Sequence, residues 1–380
     1  MTLSPSHVGM VSAMTAALVL AFGIPIQAHQ PLTGEAISPS APPEVSAEAW
    51  VIWDDTYERY LGSLNADEER AMASTTKLMT AAVAVANNDL DDKVIISELA
   101  AGVGESEINL VIGESVPLRD LLAALLVQSA NDAAMAIAEH VGESIEGFTD
   151  MMNDTAVEMD MTHSHFVNPH GLDAVGHYSS ANDLLALSRH VMEVPEIAAI
   201  VGSHTVEIAT APDGTDRTAH ATNQLIGTYE GVFGIKTGFT DDAGFTLVTG
   251  ADRDERRVFV VVMGSDDHFR DASLLLNYAF SEYQLLRLID PANLNTTLRT
   301  SEGSVDAIPE DGVDVLASST EAETVQITPK FIGGGPTLLV DMAGERVGES
   351  ALVVDAPKLP DLFDAFAWAS TYWDWMWDRA

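Results

Sequence analysis

Ser74 and Lys77 stand three residues apart in the run ASTTKLMTA. On a helix that spacing puts a hydroxyl and an amine on one face, within hydrogen-bond reach of each other. Serine is a weak nucleophile until a base takes its proton. A lysine is such a base only when burial or a neighbouring cation lowers its pKa. The blander alternative is a lysine at a helix start whose stem covers apolar surface while its ammonium reaches water. Lys77, Lys93, Lys236, Lys330 and Lys358 are the only lysines of the chain, and Leu78, Met79 and the alanines that follow predict a buried helix around Lys77. A buried lysine needs compensation.

A second cation is available in GIKTGFT, where Lys236, Thr237 and Gly238 sit in an apparent strand. Facing a cleft, Lys236 would depress the pKa of Lys77 and bind a substrate carboxylate, and Gly238 would let a substrate backbone approach closely. The alternative is an edge-strand lysine that discourages aggregation. A serine with an asparagine two residues on occurs twice, as Ser129-Ala130-Asn131 and as Ser180-Ala181-Asn182. Both precede helical patterns and both read as helix-cap chemistry, so local sequence does not choose between them. His163, His165, His170 and His177 cluster in HSHFVNPHGLDAVGH. They invite a zinc reading, but no His-Glu-x-x-His helix accompanies them, and no metal is expected.

These residues need elements to hold them. AWVIWDD reads as a strand and RYLGSLNADEER as its hairpin return. From about Ser74 to Glu196 the apolar spacing is helical, and from about His204 to Met263 strands return, closed by a helix over ASLLLNYAFSEYQ. Strand, helical block, then strands and a helix predict one α/β (α+β) sheet flanked by helices, with its N- and C-terminal strands meeting. Past about Pro291, Gly-rich turns between apolar runs predict a small all-β domain. The last segment, LPDLFDAFAWASTYWDWMWDRA, places Leu362, Phe366, Ala369, Trp373, Met376 and Trp377 on one helical face. It is too acidic to span a bilayer and fits an amphipathic helix lying on a membrane surface, docked on a partner or packed on its own domain.

The net charge of -40 over 380 residues leaves no basic stripe for a phosphate backbone, which excludes nucleic acid as a partner. Such a surface suits a salt-rich medium, where screening is strong. With no cysteine, disulfides and thiolate chemistry are excluded. VSAMTAALVLAFGIPIQA ends on small Ala28 and reads as a secretory signal, although the first ten residues hold no lysine or arginine. The expected organisation is a signal peptide over 1–28, a Pro/Ser-rich lead-in over 29–48, a catalytic domain over 49–289, a β domain over 290–357 and the amphipathic helix over 358–380.

Ser74-Thr75-Thr76-Lys77, Ser129-Ala130-Asn131 and Lys236-Thr237-Gly238, in that order, resemble the motif set of the serine penicillin-recognising enzymes. LLAALLVQSANDAAMAIAEHV, HFVNPHGLDAVGHYSSANDLLALSRH and GIKTGFTDDAGFTLVTGA bring the chain from about Ala49 to Gln284 nearer to the low-molecular-mass D-alanyl-D-alanine carboxypeptidases. The small β domain and terminal amphipathic helix fit that family too. The resemblance implies a β-lactamase/transpeptidase-like fold and an exported enzyme that trims terminal D-Ala from peptidoglycan stem peptides without a cofactor. It selects Ser129 and Asn131 over Ser180 and Asn182. It makes Ser74 the nucleophile, Lys77 its base and Ser129 a proton relay. Asn131, Lys236, Thr237 and Gly238 would bind substrate, the backbone N–H groups of Ser74 and Phe239 would form an oxyanion hole, and Arg270 is a further carboxylate-binding candidate. β-Lactams would acylate Ser74. Alternatives within the fold are a DD-endopeptidase, a class A β-lactamase (whose second motif carries Asp where Ala130 stands) and a non-catalytic cell-wall binding scaffold.

Overall fold

Five strands pair into the sheet that carries the site. They are β1 (Ala49–Asp54), β2 (Arg59–Leu64), β3 (Val232–Thr240), β4 (Gly244–Arg253) and β5 (Arg256–Ser265), in the spatial order β2-β1-β5-β4-β3. Every neighbouring pair is antiparallel. The N-terminal hairpin therefore joins the later meander through β1 and β5, with Ala49 opposite Met263 and Asp54 opposite Val258. Phe259 through Met263 are all buried, so β5 is covered on both faces and reads as a continuous apolar run, not as an alternation. Arg256 on β5 donates to buried Asp54 on β1 at 2.8 Å, which pairs both charges inside the protein. The helices Ala181–Met192 and His268–Glu282 pack on this sheet.

These observations come from a computed structural model that describes residues 41–354, apart from 295, 301–302 and 333–334. The expected signal peptide and the expected terminal helix lie outside the described residues. Among the described residues no helix is long and apolar enough to cross a membrane.

The helical block is built around α1 (Lys77–Asn87), whose first eight residues are all buried. A helix without a polar face belongs in a core, and α1 packs against α2 (Asn131–Gly142), α3 (Ile145–Glu158) and α4 (Ala181–Met192). The helical pattern expected from Ser74 to Glu196 is interrupted. Two short strands, Lys93–Ile95 and Ser115–Pro117, pair within it, and residues 159–180 form a loop without a helix. Its Asn, Pro and Gly residues make side-chain and turn hydrogen bonds that compete with helix formation: Asn168 Oδ1 accepts the N–H groups of both His170 and Gly171.

Contacts divide the chain into two compact units, Ser40–Tyr283 and a second that begins at Gln284, ahead of the expected 290. The helix expected to run through Gln284 ends at Glu282, because Tyr283–Ile289 extends and pairs with the strand Val313–Ser318. In the second unit the strands lie in the order Thr296–Thr300, Gly303–Pro309, Glu345–Val354, Gly335–Met342 and Gln326–Ile332, with antiparallel neighbours. Ile289, Ala307, Val313, Leu338, Val340 and Leu352 form its own apolar core.

Candidate active site

Ser74 lies in a single 3-10 turn, Ala73–Thr76, that runs directly into α1. In a 3-10 turn, residues i and i+3 eclipse, so Lys77 sits directly over Ser74. The Lys77 amine is fully buried and lies 2.9 Å from Ser74 Oγ, 2.8 Å from Asn131 Oδ1 and 2.5 Å from the His170 carbonyl oxygen. Two of these partners are pure acceptors. Asn131 Nδ2 donates to the Gly104 carbonyl at 3.2 Å, which fixes Oδ1 as the atom facing the amine.

A neutral amine can satisfy all three partners. Its two N–H bonds go to Asn131 Oδ1 and to the His170 carbonyl, and its lone pair is left to accept the Ser74 O–H. A charged Lys77 would donate to all three and give Ser74 nowhere to send its proton. Burial pushes the Lys77 pKa well down, and the Lys236 ammonium adds to the effect; Glu105 and Asp132 pull the other way. The second cation anticipated from sequence thus contributes, but desolvation is the larger cause.

Asn131 reaches the site from the start of α2, and Ser129 lies at the junction between that helix and a wide π turn at Ala124–Gln128. Ser129 takes a left-handed backbone, φ +69°, unusual outside glycine, and among the described residues no hydrogen bond fixes its hydroxyl. It is not a helix cap: Ala130 occupies that position, with no side-chain cap bond. Asp132, the next residue after Asn131, accepts the backbone N–H groups of Ile108 at 3.1 Å and Leu110 at 3.1 Å, and so holds the segment that includes Gly104 and Ser106 beside Asn131. Its burial raises the carboxyl pKa. At the other Ser-x-Asn, Ser180 Oγ accepts the Asp183 N–H at 3.1 Å as an N-cap.

The edge strand β3 carries the third motif. Lys236 is buried and its amine donates to the Thr237 carbonyl at 2.9 Å; burial lowers its pKa to about 7. Thr237 Oγ1 lies 2.6 Å from Thr222 Oγ1. Gly238 is needed for a different approach from the one expected: a Cβ there would sit 2.8 Å from the Ser74 backbone nitrogen and 2.5 Å from Thr246 Oγ1. The missing side chain lets β3 lie against the Ser74 turn itself. Phe239 follows, more than half exposed, and packs on Phe245 at 4.6 Å between ring centres. Arg270 lies on the first turn of His268–Glu282, with its guanidinium exposed beside Asp271; His268 on the same turn stacks on Phe245, the ring that packs on Phe239.

One ordered chain of three motifs therefore converges on a single serine. The stretch 35–267 matches the family described as D-alanyl-D-alanine carboxypeptidase. The chain belongs to that family. Among its relatives, D-alanyl-D-alanine carboxypeptidase DacD of Salmonella typhimurium is 35% identical over 341 residues, 84% of each chain. DacF of Bacillus subtilis is 34% identical over 248 residues, 63% of each chain. The solved carboxypeptidase DacD from Francisella tularensis has a TM-score of 0.67 at 25% identity, covering 84% of this chain and 95% of that one. Penicillin binding protein 6B from Escherichia coli also gives 0.67, at 28% identity over 83% and 97%. The carboxypeptidase fold, with its helix-flanked sheet and separate β unit, and serine-peptidase membership follow from these matches.

Sequence reasoning missed three parts of the carboxypeptidase site. The His170 carbonyl is a backbone group and has no letter of its own. Thr222 lies outside every motif. Asp132 was visible only as helix-cap chemistry, whereas its carboxylate ties down a neighbouring loop.

Proposed function

We propose that this protein is an exported D-Ala-D-Ala carboxypeptidase that releases the terminal D-Ala of peptidoglycan stem peptides through an acyl-enzyme on Ser74. The observation that carries this reading is the buried Lys77 amine, held by Asn131 Oδ1 and the His170 carbonyl 2.9 Å from Ser74 Oγ; once burial has made it neutral, its lone pair is free for the Ser74 proton. β3 is the edge of its sheet, so one row of its backbone groups is unpaired and an extended peptide can add there as a further strand.

With the substrate so placed, Lys236 and Thr237 take its terminal carboxylate. Ser74 Oγ attacks the penultimate carbonyl as its proton passes to Lys77 Nζ. The developing oxyanion sits between the backbone N–H groups of Ser74 and Phe239, donors aimed at charge that exists only in the transition state. As the C–N bond breaks, the leaving amine receives a proton relayed by Ser129, and free D-Ala departs. Water then attacks the ester, giving up its proton to the again-neutral Lys77, and the shortened peptide leaves with Ser74 restored. Asn131 keeps the Lys77 amine oriented throughout. Arg270, exposed at the start of His268–Glu282, would be a further partner for the substrate carboxylate. β-Lactams follow the first half of the path and stop at the ester. The signal-like N-terminus and the amphipathic C-terminal segment would place the enzyme outside the cytoplasm, at the membrane or wall.

Intact-mass analysis after brief incubation with benzylpenicillin, followed by peptide mapping, tests this. A lasting adduct on Ser74 is expected. Rapid turnover of the drug would favour a lactamase, and no adduct on folded protein in high salt would favour a non-catalytic scaffold.

A further inference from the structure

The imidazole of His177 is one of the four histidines that invited a metal reading, and both its nitrogens are committed. Nδ1 accepts the Val167 N–H at 3.1 Å. Nε2 lies 2.8 Å from Thr76 Oγ1, and that hydroxyl lies 2.8 Å from the Ala73 carbonyl. Directions follow from the ends of the chain. A carbonyl only accepts, so the Thr76 O–H donates to Ala73 and its oxygen receives the Nε2–H of His177. A backbone N–H only donates, so Nδ1 is unprotonated. One neutral tautomer satisfies every member.

The far end of this chain is unusual. Ala73, directly before Ser74, has φ +49°, a left-handed conformation that alanine rarely holds unless its surroundings impose it. Gly171 crosses so close to Ala73 that any Cβ there would collide with the carbonyl oxygen and reach Thr76 Oγ1. On the other side, a Cβ on Gly238 would meet Ala73 Cβ at 3.0 Å. The turn that presents Ser74 is pinched between β3 and the 166–177 loop, and His177 bonds it to that loop.

We propose that His177 is a positioning residue for Ser74: through Thr76 it holds the Ala73 carbonyl, and so sets the backbone N–H and hydroxyl of the nucleophile. The same loop supplies the His170 carbonyl to Lys77, so His177 couples the placement of nucleophile and base. Its burial keeps its pKa down at about 4, consistent with the neutral form the geometry requires. The inference rests on the proposed role of Ser74 but adds a residue that does not touch the reacting atoms.

The test is the rate of acylation by a fluorescent penicillin, with kcat and KM for D-Ala release, on His177→Ala, His177→Gln and Thr76→Val. Gln offers one donor and one acceptor on a planar group and can replace both bonds. His177→Ala is expected to acylate about 10- to 100-fold more slowly at little-changed KM, since small displacements of reacting groups are that costly. His177→Gln should recover to within a few-fold of wild type. Thr76→Val should match the Ala variant, and combining it with His177→Ala should add little, because both cut one chain. Wild-type acylation in His177→Ala, or full additivity with Thr76→Val, overturns the inference. If the Ala variant does not fold, the Gln variant decides: near-wild-type acylation supports the chain, and a loss beyond tenfold sinks it. Failure of wild type itself to acylate on Ser74 would instead remove the functional reading.

Discussion

Ser129-Ala130-Asn131 and Ser180-Ala181-Asn182 are the same tripeptide, each followed by Asp and a helix, yet the fold uses them in opposite ways. At 180 the serine has an ordinary extended backbone and caps its helix. At 129 the backbone is left-handed, the serine follows a π turn, and the cap position passes to Ala130. The aspartates diverge as well. Asp183 Oδ2 accepts the His163 N–H at 2.8 Å and the Ser164 hydroxyl at 2.7 Å, closing the base of a loop, whereas Asp132 pins the segment beside Asn131. A cap forms where the hydroxyl is spent on its own helix. The relay proposed for Ser129 needs a hydroxyl that is not spent, and at its left-handed backbone the hydroxyl does not cap the helix that follows.

The largest expected effects test that contrast directly. Asn131→Ala removes the acceptor that orients Lys77 and should lower the acylation rate by about 10³-fold, with Ser129→Ala following at about 10²-fold, the range of lost general acid–base function. Asn182→Ala removes only a bond to exposed Asp67 and should leave acylation within twofold. Equal losses at Asn131 and Asn182, measured as benzylpenicillin acylation rates, would erase the distinction.

An intermediate effect comes from pH, because the 129 segment shares its surroundings with two buried lysines and the 180 segment does not. Lys236 is held down at about 7 by burial, so its charge is present below that pH and lost above it. For a carboxylate substrate, kcat/KM should fall about tenfold per pH unit on the alkaline side, beyond about 7. Stability should move the other way. Between about 7 and the ordinary lysine pKa the unfolded chain binds a proton that the folded chain does not, so stability rises with pH across that window. Lys236→Arg, which cannot lose its charge, should flatten the alkaline limb of activity. An unchanged alkaline limb in that variant would detach Lys236 from substrate binding.

How much of this was legible before the fold was known depends on which group does the work. Side chains with a fixed spacing were legible: Ser74 and Lys77 needed only one turn, and Lys236 stood out in a chain almost without lysine. The sheet was legible too, since β1 and β5 are apolar runs bounded by turn residues. The choice between two identical tripeptides was settled in the sequence only by wider family resemblance, because a left-handed φ at a serine leaves no mark in its letters. Backbone acceptors such as the His170 carbonyl were invisible for the same reason. The end of the helix at Glu282 was misplaced because Tyr283 and Gln284 suit either state, and the pairing of Tyr283–Ile289 with Val313–Ser318 decided it.

The smallest effect is the most discriminating. Ser180 is fully buried, and its hydroxyl satisfies one of the N–H groups left open at the start of Ala181–Met192. Ser180→Ala should therefore cost about 1 kcal/mol of stability, the usual worth of a cap, and lower the midpoint of thermal unfolding by about 2–4 °C. Ser180→Gly should cost at least as much, because at this buried position it also leaves the Asp183 N–H without its acceptor. Neither change should alter the acylation rate by more than about twofold, because the Ser180 hydroxyl bonds the Asp183 N–H and touches neither Lys77 nor Ser74. Ser129→Ala should show the reverse pattern: an unfolding midpoint close to wild type, since no hydrogen bond of its hydroxyl is lost, with acylation slowed by two orders of magnitude. A thermal melt and a penicillin-binding time course on these two serine-to-alanine variants give four numbers. If they fail to cross in this way, with Ser180→Ala slow or Ser129→Ala merely unstable, the division of labour between the two tripeptides is wrong.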